Sequence, residues 1–211
     1  WARMCIRDSL LRGGDGGFTY SGRYFQLENA GYARRDLPAP AIILNDSQSP
    51  ALIASQAQVC LLRAAPPAQL RQAIERQRAA SPEPSTPLAF ACTFGLILAD
   101  TEAQAWEAAA RQLPALPAAP TSEAESVLRL QRGGHPLRHY EVHPNLLQTA
   151  PGQPAYLIGT PQQLATRLQE LHGLGIEHIV IQSQPSVSDV LRFGEQVLPL
   201  LAAQGLRKEN V

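Results

Sequence analysis

The residues best suited to bind an anion are three consecutive polar side chains, Asn45, Asp46 and Ser47. They follow a short apolar run and precede a segment with helical character, so free backbone N–H groups and a positive dipole end face their loop. Arg63 follows the next apolar run, and its guanidinium suits a phosphate or a sulfonate. We therefore predict that these four residues contribute to cofactor binding. Two simpler interpretations stay open: Asp46 or Ser47 caps the helix, and Arg63 forms a surface ion pair.

Three histidines form a second pattern, because His135, His139 and His143 recur every four residues. On a continuous helix this spacing would bring three imidazoles to one face, where they can bind a metal ion. Glycines and prolines on both sides of these residues argue against such a helix. We therefore predict no metal site, and we assign the histidines to solvent or to polar contacts with neighbouring elements.

Composition excludes several classes of protein. The 211 residues include 18 basic and 18 acidic side chains. The basic stripe that is typical of nucleic-acid-binding proteins is absent from the sequence, so a nucleic acid partner is not expected. No apolar run approaches the length of a membrane span. The three cysteines are scattered without a CxxC pair, which argues against a zinc or redox site and favours a reducing, cytoplasmic location. A hydrophobic content of 45% is ample for a core.

Apolar runs and helical periodicities alternate along the chain, which is typical of a parallel α/β fold. A small hairpin is predicted over Phe18 to Leu27, around Ser21 and Gly22. The predicted strands are 41–44, 59–62, 88–98 and 177–181. The last of these lies in the run Ile176 to Ile181, whose apolar character is expected for a strand covered on both faces. Helices are predicted after each strand, with Thr160 as an N-cap and Pro161 in the first turn of one of them.

The segment from Leu113 to Pro154 interrupts this alternation. It is rich in proline, alanine, glycine and histidine, it has few large apolar residues, and only Glu123 to Arg132 has helical character. It is longer than an ordinary connection. We predict that this insertion before the last strand is a mobile lid.

The carboxyl-terminal part of the chain carries three motifs in order, GTPQQLATRL at 159–168, LGIEHIVI at 174–181 and RFGEQVLPLL at 192–201. Upstream pieces at 18–30, 100–111 and 144–147 agree in order. Together they resemble the luciferase-like flavin-dependent monooxygenases, and within them the alkanesulfonate monooxygenase branch. The resemblance runs from about Leu10 to about Gln204.

This resemblance implies that residues 10–211 are the carboxyl-terminal half of a (β/α)₈ TIM barrel, with the lid insertion at about 113–154. Members of the family carry a long amino-terminal half that precedes this region. Residues 1–9 are predicted to be a leader foreign to the protein, because Met4 to Ser9 resembles a reading frame of a transposase adaptor used in sequencing libraries. A short natural helical turn is the alternative.

The sequence departs from the alkanesulfonate branch at its catalytic positions. The Arg-x-His of the long strand falls on Thr93 and Gly95, and the Tyr-Pro-His after the last strand falls on Gln184 to Ser186, with Gln184 and Ser186 replacing the tyrosine and the histidine. These departures put sulfonate oxidation in doubt. In the lid, Arg129 or Arg132 aligns with an arginine that closes over substrate and flavin in relatives.

The function implied by the resemblance is that of a two-component monooxygenase, which oxidises a small, alkanesulfonate-like organic substrate with O₂ and reduced FMN. A separate NAD(P)H-dependent flavin reductase would supply the reduced flavin, and a homo-oligomer is expected. Two alternatives are a deazaflavin-dependent oxidoreductase of the same superfamily and a non-catalytic subunit that binds flavin or an active partner.

Overall fold

The computed structural model describes residues 17–31, 41–80, 87–113, 135–149, 153–182 and 187–206. The chain divides into two compact units, 1–42 and 43–211. In the first unit, β1 (Phe18–Ser21) pairs antiparallel with β2 (Gln26–Ala30). The backbone N–H of Gly22 donates to the carbonyl of Phe25 at 2.9 Å and closes the turn, which confirms the predicted hairpin.

The second unit alternates strands and helices, as predicted for an α/β fold. Its strands are β3 (Ile43–Asn45), β4 (Val59–Arg63), β5 (Ala89–Leu98), β6 (Glu141–His143), β7 (Leu146–Gln148), β8 (Ala155–Gly159) and β9 (His178–Ile181). Its helices are α1 (Pro50–Gln56), α2 (Pro67–Ala79), α3 (Glu102–Gln112), α4 (Pro161–Gly173), α5 (Val187–Arg192) and α6 (Leu198–Ala203). A 3₁₀ turn covers Pro136–Tyr140, and a π-helical turn covers Phe193–Val197.

Strands β3, β4, β5 and β9 lie side by side and parallel in chain order, although β6, β7 and β8 come between β5 and β9 in the sequence. Strand β8 also pairs parallel with β5, at its last four residues. Successive strands become neighbours in this way when each strand is followed by a helix that returns outside the sheet. This is the arrangement of consecutive units in a (β/α) barrel, and the second unit is a partial barrel of that kind. The four strands are those predicted from the sequence.

The main core lies between this sheet and the helices on one of its faces. Apolar side chains recur at helical spacing on α2 and α4, Ile53 of α1 joins them, and together they pack against alternate residues of β4 and β5. The principal members are Ile53, Leu70, Ile74, Leu164 and Leu168 from the helices, and Cys60, Leu62, Phe90, Cys92 and Phe94 from the strands. Fully burying a Leu, Ile or Phe side chain contributes about 1.5–3 kcal/mol, so this face dominates the stability.

The ends of α4 follow the sequence closely. Thr160 accepts a hydrogen bond from the backbone N–H of Gln163, and the Gln163 side chain accepts one from the backbone N–H of Thr160. This reciprocal capping box satisfies two N–H groups that the first turn leaves unpaired. The helix ends at Gly173, and Gly175 takes a φ of +91°, a conformation that glycine adopts without strain.

The described part of the predicted lid, 135–149 and 153–154, contains two short strands and buried apolar side chains, and the mobility of the lid stays a prediction. Strands β6 and β7 form an antiparallel hairpin, and β7 pairs antiparallel with β8. Leu146 and Leu147 are buried on opposite faces of β7 and join two different core clusters. None of these three strands was predicted. Strands β6 and β7 are only three residues long, whereas the apolar run of the five-residue β8 was an available signal. The helical piece at 123–132 lies outside the described residues.

Strand β9 is less covered than predicted. His178 is exposed, and Ile179 is 37% exposed. Among the described residues β9 pairs with β5 alone, so one of its edges has no neighbouring strand. Its apolar sequence predicted coverage on both faces, but that coverage depends on elements that lie elsewhere in a closed barrel.

The widened turn at 193–197 has a local cause. The backbone N–H of Leu198 donates to the carbonyl of Phe193, five residues earlier. Pro199 follows, and it has no N–H to donate, while in a regular α-helix its ring would clash with the carbonyl four residues before it. The π-helical turn gives this ring room and lets the chain continue into α6.

Gln77 offers a test of the core between α1, α2 and the sheet. Its side chain is 1% exposed, and neither amide atom has a hydrogen-bond partner in the structure. Replacing Gln77 by Leu should raise the free energy of unfolding by about 1 kcal/mol, because an unpaired buried amide is costly. Chemical denaturation measures this difference. Gln72→Leu, at an exposed position of the same helix, serves as the control and should change it by less than about 0.5 kcal/mol. A destabilised Gln77→Leu variant would contradict the expectation.

Because apolar side chains are exposed on the edge strands β3 and β9, we expect the isolated chain to self-associate. Ile43 on β3 is 53% exposed and Ile179 on β9 is 37% exposed, and exposed apolar strand edges pair with other chains. Light scattering after gel filtration should show a mass that rises with protein concentration. Ile43→Lys should reduce this association, whereas Val190→Lys, at an exposed apolar position on α5, should not. A chain that stays monomeric at all concentrations would show that these edges are covered.

Candidate functional site

The carboxyl ends of β3 and β4 bring two of the predicted cofactor-binding residues together. Asp46 directly follows β3 and Arg63 ends β4. Both line one cavity of about 180 Å³, together with the polar side chains of Gln69 and Gln148. A carboxylate, a guanidinium and two amides therefore meet where parallel α/β folds place their ligands.

Local hydrogen bonds use the backbone N–H groups that were expected to face a ligand. The N–H of Asp46 donates to the carbonyl of Leu61 at 3.1 Å, and that of Ser47 donates to Oδ1 of Asn45 at 3.0 Å. The N–H of Gln48 donates to the carbonyl of Asn45 at 3.0 Å. Phosphate recognition by these amides would require breaking the turn, so the side chains of Asp46 and Arg63 are the better candidates.

The cap of α1 is neither Asp46 nor Ser47. Ser49 holds that position, and its Oγ accepts a hydrogen bond from the backbone N–H of Leu52 at 3.3 Å. The alternative interpretation of Asp46 and Ser47 as helix caps was therefore wrong. Asn45 instead closes an Asx turn, a local structure in which its side chain replaces a backbone carbonyl. The predicted roles of Asn45 and Ser47 in cofactor binding stay predictions.

The carboxylate of Asp46 lies near two buried thiols. Its Oδ1 is buried without a hydrogen-bond partner in the structure. Burial first, and then the negative charge of Asp46, raises the pKa of Cys60 to about 11. Burial also dominates at Cys92, where the pKa rises to about 12 and Asp46 adds a smaller increase. Both thiols are protonated at neutral pH, so neither is an activated nucleophile.

Two of the four positions that align with catalytic residues of the family can be located, and neither offers an acid or a base. Thr93 is 4% exposed, and its Oγ1 is buried without a hydrogen-bond partner in the structure. Gly95 lies beneath the ring of Tyr156, and a Cβ atom at position 95 would lie 2.2 Å from Cδ1 of that ring. Gln184 and Ser186, like Arg129 and Arg132 of the predicted lid, lie outside the described residues.

A larger polar cavity, which the sequence did not predict, lies beside the β6–β7 hairpin. It measures about 380 Å³, and its charged lining includes Glu102, Arg138 and Glu141. Arg138 forms ion pairs with both carboxylates and stacks over the ring of Trp106, with its Cζ 4.8 Å from the ring centroid. The position of Glu102 in the first turn of α3 was the one available sequence signal, but its partner is 36 residues away.

The three histidines of the four-residue repeat make separate contacts. Nδ1 of His135 accepts a hydrogen bond from the backbone N–H of Leu137 at 3.2 Å, and burial lowers the pKa of His135. The ring of His139 packs edge-on against that of Tyr140. Nε2 of His143 lies 2.9 Å from Oε2 of Glu170. Within the described ranges, no group of three or more His, Cys, Asp or Glu side chains could hold a metal ion.

No helix in the described part of the chain is long and apolar enough to cross a membrane.

In (β/α) barrels, polar groups at the carboxyl ends of the strands are typical of enzymes. A sequence comparison identifies the family. The profile of the luciferase-like monooxygenases matches residues 6–178. The chain therefore belongs to the luciferase-like monooxygenase family.

Solved structures agree with this fold. EDTA monooxygenase from Chelativorans sp. BNC1 superposes with a TM-score of 0.63 at 16% identity, over 92% of this chain and 52% of that one. Long-chain alkane monooxygenase superposes with a TM-score of 0.61 at 17% identity, over 92% and 48%. An F420-dependent secondary alcohol dehydrogenase gives 0.61 at 17% identity, over 98% and 61%. The chain spans about half the length of the two monooxygenases, and the expected fold, a part of a luciferase-like TIM barrel, is confirmed.

The ion pair of Arg138 predicts how stability depends on pH. The hydrogen bond from Arg138 holds the pKa of Glu102 below its ordinary value. A lowered folded-state pKa stabilises the fold above the unfolded value, about 4.3 for Glu, and this stability is lost as the pH falls through the folded value. Between pH 6 and about pH 3, the melting temperature of Arg138→Gln should therefore fall less than that of the wild type.

Arg111→Gln is a suitable control for that measurement, because Arg111 is exposed on the same helix as Glu102. Its melting temperature should follow the wild-type pH profile. Parallel profiles for Arg138→Gln and the wild type would show that the pair carries no pH-dependent stability.

Proposed function

We propose that this chain is the carboxyl-terminal part of a monooxygenase that uses reduced FMN and O₂ to oxidise a small organic substrate. The observation that carries the proposal is the membership of the luciferase-like family, combined with the cavity of Asp46 and Arg63 at the strand ends. Reduced flavin supplies the two electrons that activate O₂, and the protein binds the reactants, orients them and excludes water.

The described residues fit one wall of a flavin site. Arg63 supplies a cation suited to a phosphate, and Gln69 and Gln148 supply neutral donors and acceptors to the same cavity. At about 180 Å³ the cavity is smaller than the roughly 300–1,000 Å³ of typical ligand pockets. We infer that the rest of the pocket comes from parts of the protein other than the described residues.

A deazaflavin is the second candidate cofactor. It is favoured by the superposition on the F420-dependent alcohol dehydrogenase, of which the chain covers 61%. A third possibility is a non-catalytic subunit that binds flavin or an active partner. It is favoured by Thr93 and Gly95, which offer no acid or base.

The remaining features of the proposal come from the family resemblance. They are an alkanesulfonate-like substrate, a separate NAD(P)H-dependent flavin reductase, assembly into a homo-oligomer and a cytoplasmic location. In the predicted lid, Arg129 or Arg132 would close over the reactants. The substitutions at 93 and 95 weaken the alkanesulfonate assignment most, because both positions lack a cation.

An anaerobic titration tests the cofactor. Reduced FMN should quench the tryptophan fluorescence of the complete protein with a dissociation constant at least about tenfold below those of oxidised FMN and of reduced deazaflavin. Residues 10–211 alone should bind none of the three strongly, since half of the pocket is absent. Tighter binding of the deazaflavin would favour the second candidate.

Arg63→Gln in the complete protein tests the site itself. Loss of its charge should weaken the binding of reduced FMN by about tenfold or more, whereas reduced riboflavin, which lacks the phosphate, should bind the variant and the wild type equally. Arg71→Gln, at an exposed position on α2, is the matched control. An equal loss for both flavins would show that Arg63 does not recognise the phosphate.

A further inference from the structure

The polar cavity beside the β6–β7 hairpin carries more negative than positive charge. Among the described residues of its lining, the two carboxylates of Glu102 and Glu141 face the guanidinium of Arg138. Arg138 forms an ion pair with each of them. One formal negative charge is therefore left over, and it attracts a positively charged ligand to this cavity.

The charged groups next to this lining leave that balance unchanged. His143 is the other titratable residue of the lining, and its Nε2 lies 2.9 Å from Oε2 of Glu170 and 3.0 Å from the guanidinium of Arg167. Glu170 and Arg167 also form an ion pair with each other. Their opposite charges offset, so they add no net charge beside the cavity.

Glu102 keeps its charge and stays within reach of a ligand. The hydrogen bond from Arg138 holds the pKa of Glu102 below its ordinary value, so the carboxylate is ionised at neutral pH. The side chain of Glu102 is 40% exposed. A cationic donor that enters the cavity can therefore form a charge-assisted hydrogen bond with this carboxylate.

Asn145 supplies a second acceptor, which is held in place by the fold. The residue is only 6% exposed, its Nδ2 donates to the carbonyl of Ile158 at 3.0 Å, and its backbone N–H donates to Oε1 of Glu141 at 2.8 Å. Within the described part of the chain no group donates to its Oδ1, and this oxygen is not fully enclosed. Because Asn145 lines the cavity and is otherwise buried, Oδ1 faces the cavity. A nearly buried amide oxygen of this kind favours a ligand that donates a hydrogen bond.

The same lining has an apolar side. Val142 and Pro144 line the cavity, and Val142 is exposed. A short hydrocarbon chain can pack on such residues while its charged end reaches polar groups. At about 380 Å³ the cavity lies within the roughly 300–1,000 Å³ of typical ligand pockets.

We propose that this cavity binds a small primary alkylammonium ion. An ammonium group has three N–H donors and no acceptor, which matches the carboxylate of Glu102 and Oδ1 of Asn145. The alkyl chain would lie against Val142 and Pro144. The inference is independent of the proposed function, because this cavity shares no described lining residue with the cavity of Asp46 and Arg63.

Calorimetry on the 211-residue chain tests the ligand class, since the described lining lies within the compact unit 43–211. The probes are n-butylamine, n-butanol and butyrate, at about pH 8, where an alkylamine is charged and an ordinary imidazole is neutral. About 0.15 M salt screens unspecific attraction to surface charges. The amine should bind at least about tenfold more tightly than the alcohol and than the carboxylate. Equal binding of the amine and the alcohol, or no measurable binding of the amine, would overturn the proposal.

Two variants test the residues of the site. Glu102→Gln should weaken the binding of n-butylamine by at least about tenfold, whereas Glu107→Gln, at an exposed position of the same helix, should leave it unchanged. Val142→Lys places a competing ammonium group in the lining at an exposed position, and it should weaken the amine by a similar factor. A cooperative melting transition shows that each variant is folded, and Val142→Lys decides alone if Glu102→Gln does not fold. An amine affinity that survives both changes, or that falls equally in Glu107→Gln, would show that this cavity is not the site.

Discussion

Backbone pairing along β5 is the interaction on which the rest of the structure depends. Its first half pairs with β4, an overlapping stretch pairs with β9, and its last four residues pair with β8. Residues 90–98 are all buried. Because unpaired N–H and carbonyl groups in such a position are costly, this strand fixes the places of three neighbours at once.

The same pairing limits the chemistry on this strand. A long strand that is buried on both faces has to fill each position with a side chain that its neighbours can accommodate. Opposite Tyr156 on β8 only a glycine fits, and beyond it Ile97 packs with Trp106 and Ile158. Thr93 and Gly95, which the family resemblance aligned with an arginine and a histidine, are part of the packing here. Charged side chains are left to the strand ends, where Asp46 and Arg63 line one cavity.

Much of the partial barrel was predictable because its signals are local. The four parallel strands, the hairpin of β1 and β2 and the capping box of α4 depend on apolar runs, turn residues and cap residues close together in the sequence. The strands β6 and β7 were not predicted, since short strands of mixed composition acquire their structure from the partners they meet. The covered state assigned to β9 was wrong for the same reason, because burial is a property of the neighbours.

The candidate site shows the same division. The sequence by itself determined the residue types at the strand ends, the family, and the absence of an arginine and a histidine at 93 and 95. Only the tertiary structure decided that Ser49 and not Asp46 caps α1, that Arg138 joins Glu102 to Glu141, and that Tyr156 fills the space above Gly95. Caps and turns compete within a few residues, and ion pairs and steric exclusion join residues distant in sequence. Caps, ion pairs and steric exclusion all depend on the distances between groups in the folded chain. These distances cannot be derived from the residue types alone.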